Sequence, residues 1–387
     1  MRLLLALGLG FGFGLGSGSG FGLPQTSGAG RRPGSVMERD EALALAQRAL
    51  PGREVVDVTG IETVASLWAG MGAIYGVRAT CADGDGEAEV ICKRIALPAG
   101  ELSVGDARKA ASYEVEAAFY EGVAELLNGE AGCAVPQGLL VERGRGAEGL
   151  TICMTRLPGS VPGGLGRDGA LRAAAWAARL HAFTWGAARA DEFVRMGLQP
   201  QGSYWYLDTR LDEWEAIPRR GWQARLRRAA RAVDERLKAD PLCCVVHGDF
   251  KAGNMVWDGD DVAMCDFQYC GKGCALKDLA YMIGCYLDDR GARRGTPTHP
   301  LERDVLEAYR AELAARLGED AAPPQAAMDA ALDLCFLDLY RWMAGWGVWG
   351  NAFLEPRAQS VLDRIDGGKL LKDEDAYRQA VQRAFPL

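Results

Sequence analysis

Apolar residues recur every three or four positions in the stretch MERDEALALAQRAL that starts at Met37, the spacing of one helix face. Shorter apolar runs rich in Val and Ile follow at Glu54–Val58, Ile61–Trp68, Ile74–Thr80 and Glu89–Ile95, parted by glycine and by the turn DGDG, Asp83–Gly86. The pattern predicts a helix leading into a small antiparallel sheet. Over Ala111–Leu127 the period returns to the helical one, with Tyr113, Ala117, Tyr120, Ala124 and Leu127 on one side. Two strand-like pieces follow near Leu139–Glu142 and Leu150–Met154. Sheet, helix and sheet together predict one lobe over residues 37–157. The Gly- and Pro-rich stretch RLPGSVPGGLGRDG, Arg156–Gly169, marks its end, and Asp168 is expected to cap the long helix that runs through Arg179 and His181. Amphipathic segments near 221–238, 276–288, 301–316, 325–349 and 373–384, with one small β region between Cys243 and Phe267, predict a larger and mainly α lobe over 158–387. The fold class expected is α+β, an N-terminal antiparallel sheet lobe with one main helix and a larger helical C-terminal lobe.

Residues 1–36 do not share these periods. Glycine interrupts their apolar part at almost every second position, which leaves it too short and too poor in helix formers for a membrane span of about 20 residues. No acidic residue precedes Glu38. The segment reads as a low-complexity leader, either a disordered extension or a secretory or organellar targeting signal.

Composition narrows the partners. With 49% hydrophobic and 25% charged residues over 387 positions, the chain has the balance of a folded protein with a sizeable core. A formal charge of -8 repels a phosphate backbone, so nucleic acid is not expected as a partner. The 11 cysteines are odd in number and contain no CxxC pair, which predicts buried small apolar thiols and a reducing, cytoplasmic setting. The arginines at 219, 220, 225, 227, 228 and 231 are read as a solvated helix face carrying Glu partners, with a phosphate or acidic-partner surface as the alternative.

The chemistry concentrates in CCVVHGDFKAGNMVWDGDDVAMCDFQ, Cys243–Gln268. An apolar strand delivers His247, Gly248 and Asp249 to a loop, Asn254 follows five residues later, and a hairpin turned by DGDD returns the chain to Asp266. The strands of a hairpin come back to nearly the same point, so a carboxylate and an amide on one loop are expected beside a second carboxylate. Such hard oxygen donors suit magnesium shared with substrate phosphates. The spacing HxDxxxxN…DF has the logic of a phosphoryl-transfer site, in which one Asp takes a hydroxyl proton while Asn and the second Asp hold metal.

HGDFKAGNM, CDFQ and DLAYMI (Asp278–Ile283) resemble the aminoglycoside phosphotransferase and choline kinase superfamily. CDFQ, the ExxFY pattern at Glu116–Tyr120 and ARLHAFTWG at Ala178–Gly186 resemble its ecdysteroid-kinase-like branch most. The resemblance implies a protein-kinase-like bilobal fold using ATP and magnesium. It makes Asp249 the catalytic base and Asn254 and Asp266 the metal ligands. It also implies that Lys93 contacts the α and β phosphates and pairs with Glu116, and that adenine docks on backbone groups of Met154, Thr155 and Arg156. Gly70 and Gly72, in WAGMGAIYGV, are expected to approach the phosphates, although a plain β-turn accounts for the same glycines. Lys251 either points inward, where it would stabilise the transferred phosphoryl group, or faces solvent. Asp278 is expected to brace the catalytic loop, and His247 to fix it by hydrogen bonding.

For the acceptor, Trp342, Trp346 and Trp349 are placed on one helix face, either as a binding surface or as core, and Asp333 and Asp338 are read by default as surface carboxylates, with anchoring of a cationic acceptor as the alternative. Only twelve positions separate Asp266 from Asp278, too few to cradle a peptide. The expected partner is therefore a small molecule with a hydroxyl group. A nucleotide-binding protein without catalysis is the alternative.

Overall fold

The computed structural model describes residues 37–67, 70–82, 86–96, 102–144, 149–288 and 295–387. The leader, Trp68 and most of the DGDG turn lie outside the described residues. By their contacts the residues form two units, one comprising the chain up to Leu102 with Gly138–Arg156, the other Ser103–Gln137 with Leu157–Leu387.

In the first unit a helix, α1 (Arg39–Ala49), precedes β1 (Val55–Ser66), β2 (Gly72–Cys81), β3 (Glu87–Ile95), β4 (Gly138–Arg143) and β5 (Leu150–Thr155). They form one antiparallel sheet in the order β1-β2-β3-β5-β4. β1 is one strand where the pattern suggested two. Register shifts between Val55 and Asp57, Val58 and Gly60, and Thr63 and Ala65 reset its alternation, so no single period of two runs through it. Ala42, Leu45, Ala46 and Ala49 of α1 pack with Val58, Tyr75, Val77, Val90, Cys92 and Cys153, the core of this unit.

The second unit opens with α2 (Val104–Ala118), which starts earlier than its apolar period because the Ser103 hydroxyl accepts the Asp106 N–H at 3.1 Å. The helix runs on through π-helical turns at Phe119–Val123 and Leu127–Ala131 and ends at Gly132, φ 66°. Next come α3 (Arg167–Phe183), α4 (Ala187–Arg195), α5 (Leu211–Ala216) and α6 (Gly221–Lys238), then α7 (Leu276–Cys285), α8 (Glu302–Leu317), α9 (Gln325–Trp346), α10 (Leu354–Asp366) and α11 (Glu374–Ala384). Three of these, α4, α5 and α10, have no counterpart in the sequence reading. α5, six residues long, is too short to show a period, and Pro356 reads as a breaker although it sits in the first turn of α10, where no helical N–H is needed. Two short antiparallel pairs complete the unit: β6 (Cys243–Val246) with β9 (Gly271–Cys274), and β7 (Met255–Asp258) with β8 (Asp261–Met264). The sequence GKGC of β9 carries no strand signal; its partner β6 supplies the pairing.

Several local expectations are corrected. Gly166, not Asp168, is the N-cap of α3; Asp168 lies in the first turn, where its charge favours the helix dipole. α9 ends at Trp346, before Gly347, so Trp349 is off the helix, although its ring meets Trp342 at 4.8 Å. The arginines of α6 are not merely a solvated face. Arg225 bonds Asp363 and Asp366 of α10, and Arg228 donates to the carbonyls of Leu371 and Lys372. All 11 cysteines are free thiols, every one buried except half-buried Cys285. Among the described residues no helix is long and apolar enough to cross a membrane.

Candidate active site

Every residue of β6 is buried, and the strand ends by handing His247, Gly248 and Asp249 to a loop. Gly248 has φ 82°, and a Cβ there would fall 2.1 Å from the Tyr269 carbonyl oxygen, so both the conformation and the space demand glycine. Fully buried Asp278, in the first turn of α7, holds this loop. Its Oδ2 accepts the His247 N–H at 2.7 Å and its Oδ1 the Gly248 N–H at 2.9 Å. His181 of α3 places Nε2 3.2 Å from Asp278 Oδ2 and Nδ1 2.9 Å from the Tyr309 hydroxyl. The carboxylate only accepts, so Nε2 of His181 carries a proton and donates to it. The expected bracing role of Asp278 is therefore present in the geometry.

His247 is likewise fully engaged. Nδ1 accepts the Asp249 N–H at 3.2 Å, which leaves Nε2–H to donate to the Cys265 carbonyl at 3.1 Å. Burial pushes its pKa below the ordinary imidazole value, against the opposing pull of Asp278, Asp249 and Asp266. A neutral ring with both nitrogens occupied ties the loop to the end of the hairpin and is not placed to act as a base. Its face meets Phe267 at 4.6 Å between centroids, and Phe267 stacks on Phe119 at 3.7 Å.

Asp249 is buried, and both side-chain donors that reach it meet one oxygen. Lys251 Nζ lies 2.7 Å and Asn254 Nδ2 3.2 Å from Oδ2, and the same Nδ2 donates to the Asp249 carbonyl at 2.9 Å. Lys251 thus turns inward. Burial works to lower its pKa, but the carboxylates of Asp249 and Asp266 outweigh that and raise it, so the ammonium keeps its charge. With Nδ2 of Asn254 so used, its Oδ1 is buried without a hydrogen-bond partner. An orphaned buried acceptor of this kind is costly unless another donor or a cation completes it.

Across the hairpin the Cys265 N–H donates to the Asn254 carbonyl at 3.0 Å, so Asp266 emerges beside Asn254. Among the described residues the only non-glycine residues with left-handed φ are Asp266 at 67° and Ser203 at 109°. Asp266 Oδ1 accepts from Gln268 Nε2 at 2.6 Å. Ser203 belongs to a strap stitched to the same region, with Ser203 N–H donating to the Tyr269 carbonyl and Tyr204 N–H to the Gly248 carbonyl at 2.8 Å. Nothing in the motif spacing announced this strap; the only sequence cue is the cluster of Gly and Ser at 202–203.

Glu116, on α2, is buried while Glu114 is exposed. In the first unit, Lys93 is buried on β3, opposite Ile74 of β2 and Ile152 of β5. Met154 and Thr155 end β5, and Arg156 sits near Glu62 at 3.6 Å and Glu89 at 3.7 Å. A Cβ at Gly72 would lie 1.9 Å from the Arg94 carbonyl oxygen, so that glycine is required by the sheet itself, whereas Gly70, φ 70°, faces open space. Among the described residues no three His, Cys, Asp or Glu side chains gather as a metal site; the oxygen donors here are carboxylates and one amide.

The reading of Asp333 and Asp338 as surface carboxylates or acceptor anchors is corrected. Asp338 is fully buried between Lys277 at 3.0 Å and Arg341 at 2.7 Å, and Asp333 bonds Arg357 at 2.6 Å. Both are neutralised by the chain's own cations and hold helices together. Trp342 is core, while Trp346 is exposed.

A family model described as "Phosphotransferase enzyme family" matches residues 83–328, more than half of the chain. A search of curated proteins found no match. Solved structures similar to this chain include an aminoglycoside-3'-phosphotransferase of type VIII, 21% identical over 78% of this chain and 98% of that one, TM-score 0.39. Another is amicoumacin kinase hAmiN in complex with AMP-PNP, Ca2+ and Ami, 15% identical over 84% and 94%, TM-score 0.46. A third is an aminoglycoside phosphotransferase from Streptomyces rimosus ATCC10970 in complex with ADP and streptomycin, 19% identical over 79% and 98%, TM-score 0.39.

Proposed function

This chain belongs to the phosphotransferase enzyme family, and from that premise we propose that it is an ATP-dependent kinase for a hydroxyl group of a small molecule. Asp249 is the catalytic base: with Lys251 and Asn254 both on Oδ2, the acceptor proton goes to Oδ1. Lys251, kept as an ammonium, stabilises negative charge on the transferring phosphoryl group. The observation that carries the reading is the Asn254 amide, whose nitrogen is spent on Asp249 and whose buried oxygen has no donor. That oxygen and the Asp266 carboxylate fit magnesium, which favours oxygen ligands and takes its remaining positions from phosphates and water. Bound magnesium would neutralise the phosphate oxygens during transfer. In the same reading Lys93, Glu116, Gly70, Gly72 and the backbone of Met154, Thr155 and Arg156 serve the nucleotide. The likeness to the ecdysteroid-kinase-like branch rests on CDFQ, ExxFY and ARLHAFTWG alone.

The test compares the unmodified protein with Asp249→Asn. ATP and magnesium should raise the melting temperature of both, while only the unmodified protein should release ADP when candidate alcohols are supplied. Nucleotide binding without Asp249-dependent turnover across a broad panel would favour a non-catalytic nucleotide-binding protein instead.

A further inference from the structure

We propose that Gln268 is a positioning residue that sets the carboxylate of Asp266 for a divalent cation and is itself set by Lys109 of α2. The inference rests on the reading of Asp266 as a magnesium ligand.

Gln268 is 4% exposed, and both ends of its amide are engaged. Nε2 donates to Asp266 Oδ1 at 2.6 Å, and Oε1 accepts from Lys109 Nζ at 2.6 Å. The Ser112 hydroxyl lies 3.2 Å from the same Oε1 and 2.7 Å from the Lys109 carbonyl; its single proton serves one of them at a time. An ammonium can only donate and a carboxylate can only accept, so the amide has one orientation, oxygen toward Lys109 and nitrogen toward Asp266. The lysine charge polarises the amide and strengthens its donation to the carboxylate.

The same helix holds the neighbouring residues. Phe119, just past α2, stacks on Phe267 with 7° between ring planes, and Lys109 Nζ also lies 3.4 Å from the Tyr269 hydroxyl. Three consecutive residues after Asp266 are therefore gripped by one element. Asp266 itself has left-handed backbone, φ 67°, a conformation that persists only where its surroundings hold it. Position 268 thus has a physical demand: a side chain that donates toward residue 266 and accepts from residue 109. A Gly there would leave Asp266 Oδ1 without this donor, and a Glu would set two carboxylates against each other.

The test is Mn2+ binding, followed by electron paramagnetic resonance, to the full chain loaded with a non-hydrolysable ATP analogue. Gln268→Leu keeps the volume and removes both bonds. It should weaken Mn2+ by about 10- to 100-fold, the usual cost of losing a group that orients a metal ligand. The concentration of Mg2+ needed for half-maximal turnover should rise similarly, with much of kcat recovered at high Mg2+, a split that a general packing defect would not give. Lys109→Met should shift Mn2+ affinity in the same direction by less, and Lys109→Arg should restore it; this pair keeps the test decisive if Gln268→Leu fails to fold. Mn2+ affinity within about twofold of the unmodified protein in both Gln268→Leu and Lys109→Met would overturn the proposal. Asp266→Ala separates the two readings. Loss of Mn2+ in that variant with no effect at 268 or 109 sinks only the positioning role; full Mn2+ affinity in Asp266→Ala sinks the metal assignment itself.

Discussion

Replacing Asp278 by Asn removes one charge and changes almost no volume, yet the geometry predicts a large effect. In the wild-type chain Oδ2 serves both the His247 N–H and His181 Nε2, while Oδ1 serves the Gly248 N–H at 2.9 Å. The best Asn orientation puts its oxygen at the Oδ2 position and turns its NH2 group onto the Gly248 N–H, donor against donor. One buried amide then loses its acceptor, at about 1–3 kcal/mol, and the surviving bonds lose their charge-assisted part. The sum is about 2–4 kcal/mol, or a fall in melting temperature on the order of 5–10 °C. Gly248 must move, and it precedes Asp249. If Asp249 is the base, as proposed, its displacement by about 1 Å costs on the order of 100-fold in rate. The assay pairs thermal melting with ADP release at saturating ATP, and kcat should fall far more than KM for ATP changes. Melting and kcat both equal to the unmodified protein would refute the claim that Asp278 holds the loop.

Two further outcomes follow from burial. His247 is held neutral, with its pKa depressed by burial, so below the ordinary imidazole value of about 6.5 the unfolded chain binds a proton that the folded chain does not. Stability from this group is complete above that pH and is lost as pH falls toward the folded value; His247→Gln should flatten the difference in melting temperature between pH 7 and pH 5.5, and an unchanged slope would contradict the assignment. Burial likewise raises the thiol pKa of Cys133, to about 12, and those of Cys244, Cys270, Cys285 and Cys335. In the native protein a thiol reagent should therefore label half-buried Cys285 at most, with the other ten cysteines reacting only after denaturation; several fast native thiols would show that these side chains are not buried.

The parts legible in the sequence were those set by local chemistry. The apolar runs of β2, β3 and β5, the helical segments at α6, α8 and α9, and the HGDFKAGN loop with its hairpin follow from residue type and spacing. What escaped was decided by partners remote in the chain. β9, GKGC, is a strand because β6 pairs with it, and α10 is a helix although Pro356 suggests a break. Asp333 and Asp338 looked like surface carboxylates or acceptor anchors because a sequence does not show that Arg357, Lys277 and Arg341 arrive to neutralise them. The same holds at the site: the roles of Asp278 and His247 were readable from their place beside the loop, whereas the link from Lys109 through Gln268 to Asp266 spans 159 positions between its first two members and has no motif.

The central claim is that Asp249 accepts the proton of a small-molecule hydroxyl as the γ-phosphoryl group of ATP is transferred to it. Its most direct measurement follows label from ATP carrying 32P at the γ position into a mixture of small metabolites, with the unmodified protein and Asp249→Asn run side by side. The account predicts a labelled phosphoester that forms only with magnesium present and is absent from the Asp249→Asn reaction. Label transferred equally well by Asp249→Asn would contradict it.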